Sequence, residues 1–193
     1  MKKVTFSFRI FLFAFILRLI PIIAMQSVGI GLDDMFQYDM LARSIEKGNG
    51  FRWYALEDLK LLEPYVKFDL STPDYDPIRG VHTSFRAPLY PFFLACIYFF
   101  AGVGTQRFLA ARLAQAVLGG LLAPITYSIA RGFFPNNTPN KMKRVEQIAV
   151  ASAWMVACYP MMILYPTDPL PERLSMPVPR RKYLYLHLQR FQQ

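Results

Sequence analysis

Two adjacent aspartates, Asp33 and Asp34, stand near the start of the stretch GLDDMFQYDMLARS, directly behind an apolar run that opens the chain. Charge is expensive at the mouth of a membrane segment, so a carboxylate pair there needs a reason. One reason is chemical: a carboxylate at a low-dielectric boundary is a stronger base than one in water, and a base is what takes the proton from a hydroxyl as its oxygen attacks carbon. The other reason is structural, because Asp caps helices well and negative charge is favourable in a first helical turn. Asp33 is well placed as the cap, and Asp34 begins the apolar face of the helix that follows. Arginines able to grip an anion through two parallel hydrogen bonds follow at Arg86, Arg107 and Arg112. Arg112 lies several residues into an apolar run and is the hardest of the three to read as a plain surface charge, with snorkelling to the headgroups as its bland alternative. His82, near Arg86, reads as a solvated loop histidine.

The elements that must position these residues are set by composition. The 193 residues are 54% hydrophobic and 16% aromatic, with a mean hydropathy of +0.23, too apolar for a soluble domain of this length. Lys and Arg outnumber Asp and Glu by 22 to 13. They are not gathered into one patch with interleaved aromatics, so membrane topology accounts for them better than nucleic acid does. Residues 6–31 form the first expected transmembrane helix. The run is too long for a signal peptide, and no small-residue cleavage site closes it. Residues 107–134 and 148–167 are expected as the second and third spans. Residues 88–104, cut by Pro91 and ended by Gly102 and Gly104, are short between those breaks and read as an interfacial helix, with a fourth span that puts the basic loop outside as the alternative. Arg131, Lys141, Lys143 and Arg144 make 135–147 a basic cytoplasmic loop by the positive-inside rule. Cys96 and Cys158, each inside an apolar stretch, read as small buried hydrophobes.

This topology puts residues 32–106 in one large extracytoplasmic loop. Ten of the thirteen acidic residues fall between Asp33 and Asp76. Trp53, Tyr54, Leu61, Leu62, Tyr65, Phe68 and Tyr75 give the loop material to pack. Tyr38, Leu41 and Ile45 share a helical face over 34–47, and Gly48-Asn49-Gly50 stops that helix. The fold class is therefore an all-α, polytopic membrane protein with interfacial helices in its first outer loop. No metal-ligand spacing, phosphate-binding glycine loop or internal repeat is present. Asn136-Asn137-Thr138 matches a glycosylation acceptor, but on the cytoplasmic side it is noise. Arg18, deep in the first span, stays unassigned.

Asp34-x-x-x-Tyr38, then Leu41-Ala42-Arg43-Ser44, Gly48-Asn49-Gly50, Arg86-Ala-Pro-Leu-Tyr-Pro91, and Arg107 with Arg112 opening a span, together resemble the first third of a GT-C glycosyltransferase. The subgroup is the bacterial protein-mannosyltransferase and aminoarabinose-transferase type, similar to glycosyltransferase family 39. The resemblance covers about residues 6–167. It implies transfer of a sugar from a polyprenyl-phosphate donor to a lipid, protein or glycan acceptor on the extracytoplasmic face of a bacterial plasma membrane. It assigns Asp34, with Asp33 beside it, as catalytic carboxylate, and gives Arg86, Arg112, Arg107 and Tyr38 to the substrate, the arginines answering charge on the departing lipid phosphate. The residues name no cofactor and leave a divalent metal open. A non-enzymatic membrane subunit or receptor with an acidic outer loop is the alternative.

From Asp168 to Gln193 the pattern breaks. Four prolines and five basic residues fill a tail with no spanning run, and Glu172, between Pro171 and Arg173, is a poor second acidic residue. The expectation is an N-terminal fragment with a truncated or frame-shifted end, inactive alone.

Overall fold

A computed structural model describes residues 2–26, 30, 34–62, 75–133 and 139–164. Asp33, Tyr65, Phe68, Asn136, Glu172 and the 168–193 tail lie outside the described residues. Among the described residues the chain is mostly helical: α1 (Lys2–Ala24), α2 (Asp34–Glu46), α3 (Leu56–Leu62), α4 (Leu89–Ala101), α5 (Arg107–Phe133), α6 (Pro139–Ala157) and α7 (Pro160–Leu164). The all-α expectation misses a small antiparallel ribbon of β1 (Arg52–Trp53) and β2 (Val81–His82), in register as Arg52 with His82 and Trp53 with Val81. Two-residue strands carry no alternation to read. The chain divides into two compact units.

The first unit holds α1, α5 from Ala111, α6 and α7. Two of its helices, Thr5–Ala24 within α1 and Arg107–Phe133, are long and apolar enough to cross a membrane. Their packing is the reverse of a soluble core. Small residues meet inside, with Ala14, Ala123, Ala149, Ala153 and Ala157 fully buried beside Ile10 and Tyr127. Phe8, Ile16, Ile20, Ile129 and Phe133 face outward. Small residues let helices approach closely where large outer side chains can meet lipid. Gly120 follows the same logic, since a Cβ there would lie 3.3 Å from the Phe11 ring. The third span expected over 148–167 is divided. The helix begins nine residues earlier, at Pro139, because Lys141, Lys143 and Arg144 are good helix formers. It stops at Ala157, since Pro160 disfavours a helical conformation at Tyr159 before it. The α7 helix runs to Leu164, and residues 165–167 lie outside the described residues. Cys158, like Cys96 on α4, is a free, exposed thiol rather than a buried one. Their apolar neighbours signal burial in water but an outward face here.

Arg18 is fully buried in this unit. Its Nη1 donates to the carbonyls of Ala14 at 2.9 Å and Ala157 at 3.4 Å. Among the described residues Nε and Nη2 have no hydrogen-bond partner. Gly119 makes the room, because a Cβ there would stand 2.8 Å from Arg18 Nε.

The second unit is built on α2, which packs against α4 and β1. Phe36, Met40, Leu41, Trp53 and Leu62 form its core. At the end of α2, Asn49 N–H donates to Ser44 O at 2.9 Å and Gly48 N–H to Ile45 O at 3.0 Å, with Gly48 at φ +74°. That is a Schellman ending, and it requires glycine's freedom at positive φ. The ribbon closes through Gly80 at φ +75°, where a Cβ would come within 2.1 Å of Trp53 O. α4 carries two apolar faces: Pro91, Leu94, Ala95 and Tyr98 turn inward, while Leu89, Phe92, Phe99 and Phe100 stay exposed. Its 13 residues rise only about 20 Å, against a hydrocarbon core of roughly 30 Å.

Candidate functional site

Asp34 is the first residue of α2, and its side chain is 61% exposed. Arg86 comes from the segment before α4, 52 residues on, and its Nη2 pairs with Asp34 Oδ1. Arg86 Nε donates to Gln37 Oε1 at 2.8 Å, one helical turn further along α2. The guanidinium lies between two ring faces, 5.3 Å from the Tyr38 centroid and 5.0 Å from that of Phe85, and such stacking favours a cation. Tyr38 in turn meets Tyr90 edge-on at 5.1 Å. Three of the residues expected at a site, Asp34, Arg86 and Tyr38, are thus in contact. Asp33 lies outside the described residues.

The other two arginines are used elsewhere. Arg107 holds Asp39, with Nε 2.7 Å from Oδ1 and Nη2 3.1 Å from Oδ2, and gives Nη1 to the Val103 and Gly104 carbonyls. This bidentate clamp fastens the start of α5 to α2. Arg112 belongs to the first unit, where Nη1 donates 3.1 Å to the Met25 carbonyl at the end of α1. Its side chain is buried. A cation near a helix C-terminus also meets the negative end of the helix dipole.

No family model, curated protein or solved structure matches the chain. What the site can do is therefore argued from its own geometry.

The sequence reading missed the best-built polar cluster of the second unit. Asp39 is 2% exposed. Besides Arg107 it accepts from Tyr98 Oη at 3.0 Å and from Arg43 Nε at 2.9 Å. Arg43 also reaches Asp58 at 2.5 Å. Burial, and next the Asp39 charge, push the Tyr98 phenol above its ordinary range, so it stays protonated and donates. Burial likewise raises the Asp58 carboxyl, with Arg43 drawing it partly back. The local signal was the Asp39–Arg43 spacing of four residues, which resembles an ordinary surface pair.

This cluster ties together α2, α3, α4 and the first turn of α5. Through α2 it supports the site, and its central carboxylate, Asp39, is closed off from solvent. Asp34, by contrast, presents a carboxylate to solvent beside a stacked guanidinium. His82 is not simply solvated: its Nε2 lies 2.6 Å from Arg52 Nη2. Among the described residues no three metal-ligating side chains gather in one place.

Proposed function

We propose that this chain supplies the donor-binding first part of a membrane glycosyltransferase that moves a sugar from a polyprenyl phosphate to an acceptor hydroxyl on the extracytoplasmic face. What supports the reading is the contact of Asp34 with Arg86 over Tyr38, residues distant in sequence and each suited to one half of that reaction. The acceptor oxygen forms a bond to the anomeric carbon as the carbon–oxygen bond to phosphate breaks. Asp34 takes the acceptor's proton. Arg86 answers the charge left on the lipid phosphate.

In the resting arrangement the two groups satisfy each other, so neither is free for its task. A donor phosphate arriving at Arg86 would replace the Asp34 carboxylate as the guanidinium's anion. Base release is then coupled to donor binding, while Gln37 and the two rings hold Arg86 in place.

The test is retention of donor lipid by the purified chain in phosphatidylcholine nanodiscs. Polyprenyl phosphate should be retained over uncharged polyprenol. Arg86→Gln should abolish that preference, and Asp34→Asn should keep or strengthen it, because it removes the competing anion. With the chain joined to the further spans of such an enzyme, Asp34→Asn should lower turnover by about two powers of ten or more. Equal retention of the phosphate and the polyprenol by the unmodified chain would overturn the reading.

A further inference from the structure

We infer that a second anion site lies away from Asp34 and Arg86, in the depression between the last turn of α2, β1, α3 and the turn at 78–79, and that it takes a phosphate-type oxyanion. The depression is shallow and open to solvent, so an anion would rest in its mouth among the lining side chains rather than in an enclosed cavity.

Its deepest charges are already matched. Arg43 and Asp58 line the floor and bond to each other at 2.5 Å, and Arg43 also serves Asp39. The mouth is different. Lys47, Arg52 and Arg79 line it against one further carboxylate, Glu57. Lys47 stands 3.8 Å from Glu57, and Arg79 stands 3.9 Å from Asp76, outside the lining. Exposed pairs at that separation contribute little and give way easily. Asp76 is further engaged, because its Oδ1 accepts the Ile78 and Arg79 backbone N–H groups.

Arg52 is hydrogen-bonded to uncharged groups, and the Asp76 carboxylate, which also faces Arg79, is near enough to feel its charge. Arg52 Nη1 donates to Gly80 O at 3.0 Å and its Nη2 faces His82 Nε2 at 2.6 Å, both uncharged acceptors when the imidazole is neutral. One fixed cation and two swinging ones therefore share a mouth with a surplus of positive charge. Donors from three side chains suit an anion with more than two oxygens. The anion could be free phosphate or the phosphate of a lipid headgroup, and the chemistry that recognises it is the same.

The experiment uses the full chain with Trp154→Phe in phosphatidylcholine nanodiscs, so that Trp53, which lines the depression, is the one indole left. One arm titrates inorganic phosphate, and the other adds vesicles of about four parts phosphatidylcholine to one of phosphatidic acid. A saturable change in Trp53 emission is expected, with Kd raised about tenfold or more by Lys47→Gln with Arg79→Gln. Both side chains are exposed, so their loss spares the core. Arg86→Gln should leave this binding intact, which separates the site from the donor reading. A response in the phosphate arm assigns the site to a soluble phosphate, and a response to phosphatidic acid alone assigns it to a headgroup. No saturable response in either arm, or one that the double variant leaves unchanged, overturns the inference.

Discussion

Replacing Asp39 with alanine should unfold the second unit more readily than any exposed substitution in it. Asp39 is 2% exposed and accepts four hydrogen bonds, two from Arg107, one from Arg43 and one from Tyr98. Alanine removes all four at once and leaves two largely buried guanidinium groups behind. Arg43 keeps Asp58, but Arg107 retains two backbone carbonyls and the Phe108 ring, with no carboxylate among them. Breaking a buried pair by removing one partner costs about 3–5 kcal/mol, because the remaining charge is uncompensated. Arg107 is 16% exposed, so water recovers part of that, and about 3 kcal/mol is the expected loss. The assay is denaturant unfolding of the full chain in nanodiscs, followed by Trp53 in a Trp154→Phe background. Asp39→Ala with Arg107→Met should recover at least about half of the loss, since removing both charges avoids the orphan. A loss under about 1 kcal/mol for Asp39→Ala would show that the cluster does not carry the unit, and the argument for it would fail.

Gly80→Ala should cost more than about 2 kcal/mol in the same assay, because the new Cβ meets Trp53 O at 2.1 Å and φ is +75°. Alkaline pH should destabilise the second unit. The Tyr54 phenol is pushed up to about 12 by burial and Tyr98 is raised as well, so the unfolded chain releases these protons first. Stability is then lost from about pH 10 upward, by roughly 2 kcal/mol from Tyr54 alone near pH 12, and tyrosinate absorbance against unfolding would check it. For topology, a cysteine at Ser71 should react with an impermeant reagent applied outside, and one at Asn137 should not. Cys96 and Cys158 are exposed, so both must first be replaced, and labelling at both new sites would mean that α4 crosses the membrane.

Local signals were the legible ones. The end of α2 could be read from Gly48-Asn49-Gly50 because a Schellman ending is a matter of a few adjacent residues. The resemblance grouped Asp34 and Asp33 with Arg86, Arg107, Arg112 and Tyr38, and of these Asp34, Arg86 and Tyr38 meet while Arg107 and Arg112 bind elsewhere. The face of α2 was read less well. The spacing points to Tyr38, Leu41 and Ile45 as its apolar side, whereas Phe36, Met40 and Leu41 enter the core and Asp39 is buried among them. A carboxylate on a buried arc is intelligible only with its partners, and Tyr98 and Arg107 stand 59 and 68 residues away. The start of α6 was missed for the opposite reason. Basic residues were read as loop, although Lys and Arg favour helices once one face is packed.

Under the membrane reading, the burial of Arg18 bears on how the chain is assembled. Synthesis delivers α1 to the bilayer first, with a guanidinium in its C-terminal half and one carbonyl of its own helix to hold it. The second carbonyl, that of Ala157, follows 139 residues later. At about 5–20 residues per second that interval is roughly 7–30 s. Until α5 brings Gly119 against the side chain, α1 is an apolar segment bearing a cation that no later helix has covered, a state suited to being held at the insertion machinery rather than released into lipid. Completion of α6 supplies the missing carbonyl, so a helix made late in the chain governs when the first one can settle.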